Sequence, residues 1–159
     1  MNTEPKITFE PTNEAAKQYV TDGIAFYNVA TTGEATWYPV AYFLRADDDE
    51  IIGGLHGAIW GKWLYIKILW VAEPSRGRGC GRKLIESAED YARRRGCIGA
   101  YLETFSFQAR PLYEKLGYEV IGQIDGYPPG HKFFFMRKLL DKNPLPVIPA
   151  ANATASAGA

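Results

Sequence analysis

A chain of 159 residues with 47% hydrophobic and 14% aromatic content can close one well-buried core, so a single domain is expected. Its 18 Lys and Arg balance 18 Asp and Glu, which removes the global electrostatic support that a nucleic-acid partner would need. No apolar run approaches the ~18 residues of a membrane span, the first ten residues lack a basic-then-apolar leader pattern, and Cys80 and Cys97 fit neither a disulfide framework nor a metal site. The expectation is a soluble cytoplasmic protein with reduced thiols, no metal, no membrane partner and no nucleic acid.

In chain order, residues 7–10 read as a short first strand, and Pro11, Thr12 and Asn13 supply turn and helix-capping chemistry. Ala15, Ala16, Tyr19, Val20, Gly23, Ile24 and Tyr27 then recur at helical spacing, with Gly23 a point where the helix could split in two. Residues 36–44 and 51–60, rich in aromatic and β-branched side chains and separated by the turn Asp47, Asp48, Asp49, predict an antiparallel hairpin. After the Gly61–Lys62 turn, residues 63–71 are nearly all apolar, the pattern of a central strand buried on both faces. Trp37, Tyr38, Tyr42, Trp60, Trp63 and Tyr65, which crowd these strands, are expected mostly in the core.

A helix follows from Gly79, with Leu84, Ala88, Tyr91 and Ala92 on one face and Arg82, Glu86, Glu89 and Arg93 pointing elsewhere; Gly96 caps it, and Arg93, Arg94 and Arg95 read as a solvated helix end. Residues 98–105 predict a second central strand, 109–116 a short helix stopped by Gly117, and 118–124 and 132–140 the last two strands. From residue 141 the composition shifts to Pro, Ala, Asn, Ser and Gly, which predicts a flexible tail over 141–159 behind a single domain over 1–140. The fold class is α/β, a mixed sheet with flanking helices.

The chemistry centres on Arg76, Gly77, Arg78, Gly79, Cys80 and Gly81, a glycine-rich turn between an apolar strand and an amphipathic helix. The first turn of a helix has N–H groups without intrahelical partners and the positive end of the peptide dipoles, so this junction suits a phosphate. Glycines let the anion approach the backbone, and Arg76, Arg78, Arg82 and Lys83 add positive charge. Two familiar phosphate loops fail on spacing. A G-x-G-x-x-G count from Gly77 ends on Arg82 and from Gly79 on Leu84, and a P-loop would need a hydroxyl after its lysine, where Leu84 follows Lys83.

What remains is Arg-x-x-Gly-x-Gly, from Arg76 through Gly79 to Gly81, which resembles the acyl-CoA pyrophosphate loop of the GNAT N-acetyltransferase superfamily. A second motif of that family, an alanine, a tyrosine and Glu-Lys-Leu-Gly-aromatic, is matched by Ala109, Tyr113, Glu114, Lys115, Leu116, Gly117 and Tyr118. The family places these motifs after its fourth and fifth strands, and the resemblance spans about residues 50–140; residues 102–108 and 127–131 resemble a bacterial branch of mostly unassigned substrate.

The resemblance implies a GNAT fold, a mostly antiparallel sheet with one splayed parallel pair of strands. It implies acetyl-CoA in the splay, with backbone near Trp70 and Val71 pairing to pantetheine, Arg78, Gly79, Cys80 and Gly81 cradling the pyrophosphate, and Arg76 and Arg78 neutralising it. It further implies direct attack by an amine, with Tyr113 protonating the departing CoA sulfur; a helix tyrosine can equally be a packing residue. Where relatives carry an asparagine seven residues before that tyrosine, this chain has Ser106, a shorter candidate for the pantetheine contact. The base that frees the amine is open among Glu103, His131 and ordered water, and Lys67 stands where related sequences can carry an acid. A small-molecule primary amine is the expected acceptor. The alternatives are a protein or peptide N-acetyltransferase, or a non-catalytic acyl-CoA sensor or partner-binding module. A homodimer is possible for this family.

Overall fold

In the computed structural model, residues 4–33 and 37–141 are described, and the chain divides into two compact units, the first ending at residue 36 and the second starting at residue 37. The predicted tail lies, from residue 142 on, outside the described residues.

The first unit is one helix, α1 (Glu14–Thr32). Asn13 is its N-cap, accepting the Ala16 N–H at 3.0 Å, and Gly33 closes it in a left-handed conformation with its N–H on the Val29 carbonyl at 2.8 Å. The helix runs through Gly23 unbroken: a mid-helix glycine costs only ~1 kcal/mol relative to alanine, and no proline removes a hydrogen bond. The strand expected over residues 7–10 does not form, because among its described residues this unit holds no second strand to pair with it; Ile7 and Phe9 are almost fully exposed.

The second unit is a six-stranded sheet in the order β1-β2-β3-β4-β6-β5. Its strands are β1 (Tyr38–Arg45), β2 (Ile51–Trp60), β3 (Trp63–Val71), β4 (Gly99–Phe105), β5 (Glu119–Asp125) and β6 (Lys132–Leu139), with helices α2 (Cys80–Arg94) and α3 (Arg110–Lys115). Every neighbouring pair is antiparallel except β3 and β4, which run parallel across the α2 crossover. That parallel ladder joins Trp63 to Gly99 and ends at Ile66 opposite Leu102. Beyond it the two strands part, so the last five residues of β3 have lost their β4 partner.

α2 covers one face of the sheet. Leu84, Ile85, Ala88 and Ala92 form the core with Val40, Leu55, Ile59, Leu64 and Ile66, and truncating one of the leucines in such packing costs ~2–5 kcal/mol. β3 is not buried on both faces as its composition predicts. Leu64 and Ile66 are buried, while Lys67, Ile68 and Trp70 are exposed because they lie where the strands part. Of the six hairpin aromatics, Tyr42 packs against the core, Trp37 and Tyr38 are exposed, and Trp60, Trp63 and Tyr65 are half-buried.

Glu89 also departs from its expected outward position, being 1% exposed. Its carboxylate accepts from Tyr118 Oη at 3.0 Å, Lys138 Nζ at 2.6 Å and Arg93 at 3.0 Å, which is how a carboxylate on an apolar helix face can be buried. The arginine run is correspondingly less free than expected. Arg93 pairs with Glu89 and Asp90, and Arg95 lies over the Tyr38 ring at 4.5 Å.

Candidate active site

A cleft of about 940 Å³ opens where β3 and β4 part, and it brings together residues far apart in the chain. Lys67, Trp70 and Val71 come from β3, Arg76, Gly77, Gly79, Cys80 and Gly81 from the loop and the start of α2, Glu103 and Thr104 from β4, and Leu112 and Tyr113 from α3. Its size is at the upper end for small-molecule sites, which run from ~300 to ~1,000 Å³.

The loop is shaped by its glycines. Gly77 and Gly79 have φ of +74° and +80°, in the left-handed region that a side chain disfavours, and Gly79 is the N-cap of α2 with no side chain to occupy the first-turn N–H groups. At Gly81 the constraint is space, since a Cβ there would stand 3.2 Å from Leu112 Cδ2. Arg76 folds back, its Nε donating to the Val71 carbonyl at 2.9 Å, which ties the loop to the end of β3. Arg78 is exposed and is not among the residues lining the cleft.

Tyr113 is 7% exposed, and among the described residues no hydrogen bond reaches its hydroxyl. Burial alone pushes its phenol up to about 12, so it stays protonated throughout the neutral range. Its ring meets that of Tyr118 edge-on at 6.0 Å, and the Tyr118 phenol is raised further by burial and then by the Glu89 carboxylate. Tyr113 is thereby held from behind by the buried Glu89 cluster.

Glu103 is exposed at the mouth of the cleft and accepts a hydrogen bond from Tyr65 Oη at 3.2 Å. Tyr65 stacks on Tyr101 at 4.8 Å, and its phenol is raised by partial burial and then by Glu103. Facing Glu103 across the β4–β6 ladder is Phe135, the end of an aromatic row with Phe133 and Phe105.

His131 and Ser106 are not brought to the cleft. Ser106 Oγ accepts from the Lys132 N–H at 3.1 Å and lies 3.4 Å from His131 Nδ1, while the Ser106 N–H donates to the Lys132 carbonyl. The pair fastens the end of β4 to the start of β6, and His131 packs edge-on against Phe107 at 4.8 Å. Sequence reasoning missed the lining residues Thr104, Gln108 and Leu112. Gln108 Oε1 accepts from both Phe105 N and Thr104 Oγ1, a turn-stabilising contact that composition alone does not signal.

The sequence profile of the acetyltransferase (GNAT) family matches residues 10–118. An acetyltransferase of Agrobacterium fabrum is 36% identical over 123 residues, 77% of this chain and 90% of that one. Blasticidin-S acetyltransferase of Streptomyces morookaense is 45% identical over 91 residues, 57% of this chain and 67% of that one. A crystal structure of a Bacillus cereus acetyltransferase superposes with a TM-score of 0.77 at 29% identity, covering 84% of this chain and 97% of that one. With the glycine loop, the splayed parallel pair and the buried tyrosine on one cleft, these likenesses establish that the chain belongs to the GNAT family of acetyltransferases.

Proposed function

We propose that this protein transfers an acetyl group from acetyl-CoA to a primary amine of a small molecule, both substrates being held together. The observation that carries this reading is the single cleft that joins the phosphate-suited loop to Tyr113 and to the exposed carboxylate of Glu103.

The residues fit acetyl-CoA on physical grounds. Gly81 leaves free a space that a Cβ would share with Leu112, the α2 N-terminus offers unpartnered N–H groups, and Arg76 lines the cleft beside them. Gly79, Cys80 and Gly81 would hold the pyrophosphate with Arg76, and the unpaired edge of β3 around Trp70 and Val71 would receive the pantetheine amides. Arg78 is a surface charge close enough in sequence to reach an outlying phosphate. Acetyl-CoA supplies a thioester with a good leaving group.

Tyr113, its phenol raised to about 12 by burial, keeps a proton at Oη through the neutral range, and with no hydrogen-bond partner among the described residues it would hydrogen-bond to the departing sulfur and give up that proton as charge develops there. Glu103 is the acceptor-side group best placed to receive a proton from an ammonium, which at pH 7 is only about a thousandth neutral. His131, behind Ser106, is the weaker candidate. The small-molecule acceptor is supported by the Streptomyces relative, named for the small molecule blasticidin S. It is also supported by the lone carboxylate at the cleft, where a polycationic acceptor would call for several.

The test is thiol release from acetyl-CoA, followed colorimetrically over a panel of small amines, peptides and aminoglycosides. Amine-dependent release with a small acceptor is expected. Release with peptides alone would replace the acceptor class, and CoA binding without release over the whole panel would favour a sensor.

A further inference from the structure

Next to the cleft lies a second hollow of about 410 Å³, lined by Trp37, His56, Gly57, Ala58, Tyr65 and Lys67. Lys67 is the one residue that lines both spaces. It gets there through a β-bulge: in the β2–β3 register Gly57 faces Ile66 and His56 faces Ile68, so Lys67 is left without an opposite number. Bulges re-aim side chains, and here the bulge interrupts an apolar strand to set an ammonium between two cavities. Among the described residues Lys67 has neither an ion pair nor a hydrogen bond, and no carboxylate lines the second hollow.

Apart from the His56 imidazole, the remaining walls are aromatic rings and small residues. Trp37 stacks on Trp60 at 5.7 Å with an interplanar angle of 15°, and Tyr65 stacks on Tyr101 at 4.8 Å and 14°. The hollow also cannot easily be filled from within, because a side chain at Gly57 would collide with the Tyr65 carbonyl. Two aromatic planes around a small space suit a ring, and an unpaired ammonium at its edge suits an anion.

On the cleft side stands one carboxylate, Glu103, hydrogen-bonded to the same Tyr65 that walls the hollow. We propose that this second hollow is the acceptor subsite and that it takes a flat-ring amine also bearing a carboxylate, with the ring between Trp37 and Tyr65, the carboxylate on Lys67 and the amine directed past Tyr65 toward Glu103 and the cleft. The inference rests on the acetyl-transfer reading, and it makes Lys67 a specificity determinant that draws anionic acceptors and repels polycations.

The deciding experiment needs no turnover. Titration calorimetry with 3-phenylpropionate, which carries the ring and the carboxylate without the amine, is run on the full chain and on Lys67→Met and Lys67→Arg. A charge-assisted contact of this kind is worth about tenfold or more in affinity, so Lys67→Met should weaken binding at least that much and Lys67→Arg should largely restore it. The affinity for CoA should stay within about twofold in Lys67→Met, whereas a large loss there would assign the lysine to the cofactor instead. Absence of 3-phenylpropionate binding, or equal binding in Lys67→Met, overturns the proposal. With turnover, phenylalanine should be acetylated with a lower KM than phenethylamine, and Lys67→Met should erase the difference; the reverse preference overturns it too. Failure of every amine to release thiol would remove the acetyl-transfer reading while leaving the calorimetric result on the subsite intact.

Discussion

Replacing Glu89 by alanine should be among the most damaging single changes in the second unit. The carboxylate is 1% exposed and receives three hydrogen bonds, two from cations. Arg93 has a side chain 41% exposed and a second partner in Asp90, so it re-solvates at small cost. Lys138 has a side chain only 20% exposed, and the Tyr118 hydroxyl belongs to a residue 3% exposed; these two are left as poorly satisfied groups. Removing one member of a buried ion pair costs ~3–5 kcal/mol. At ~2–4 °C per kcal/mol for a chain of this size, that is a fall in Tm of roughly 6–20 °C. Urea unfolding at pH 7 measures it, and Glu89→Ala with Lys138→Met in one chain should be less destabilised than the sum of the two single variants by at least about 1 kcal/mol. A loss below ~1 kcal/mol for Glu89→Ala, or strict additivity, would refute the assignment of Glu89 as the buried counter-charge of Lys138.

The remaining expectations concern the cleft. Tyr113→Phe should lower kcat by about a hundredfold or more with acetyl-CoA affinity unchanged, measured by steady-state thiol release and calorimetry; an unchanged kcat would make Tyr113 a packing residue. The same tyrosine makes stability depend on alkaline pH. Its folded pKa of about 12 lies above the ordinary tyrosine value of 10.0, so the folded state keeps a proton that the unfolded state releases. The resulting stability is fully present below pH 10 and is lost as pH rises toward 12, by up to ~2.7 kcal/mol. Tyr113→Phe should therefore flatten part of the decline seen in urea midpoints between pH 9.5 and 11.5, and identical slopes would contradict the burial of that phenol. Gly81→Val should push against Leu112, 3.2 Å from where its Cβ would sit, and weaken acetyl-CoA by about tenfold or more in calorimetry; undiminished binding would show that the cofactor does not pass there.

Much of the second unit was legible because its signals are local. The Asp47–Asp49 and Gly61–Lys62 turns, the stripe of Leu84, Ala88 and Ala92 and the stops at Gly96 and Gly117 each fix an element within a few residues of themselves. The placement of the glycine loop before α2 and of Tyr113 on α3 could be read for the same reason, each lying beside a strand end. What could not be read depends on partners distant in sequence. Glu89 looks solvated until Lys138 and Tyr118 arrive from other elements. The lower half of β3 looks doubly buried until β4 diverges from it. Residues 7–10 alternate like a strand but, among the described residues, pair with no strand that would complete one. Ser106, which departs from the family's asparagine, and His131 lie outside the cleft lining, where with Lys132 they close a turn.

The central claim is that the glycine loop and the parted strands form an acetyl-CoA site. Isothermal titration of the full chain with acetyl-CoA tests it directly, and the expected result is saturable binding to one site per chain with a micromolar Kd, about −8 kcal/mol. The absence of binding at millimolar acetyl-CoA would contradict the claim and with it the reading of the cleft.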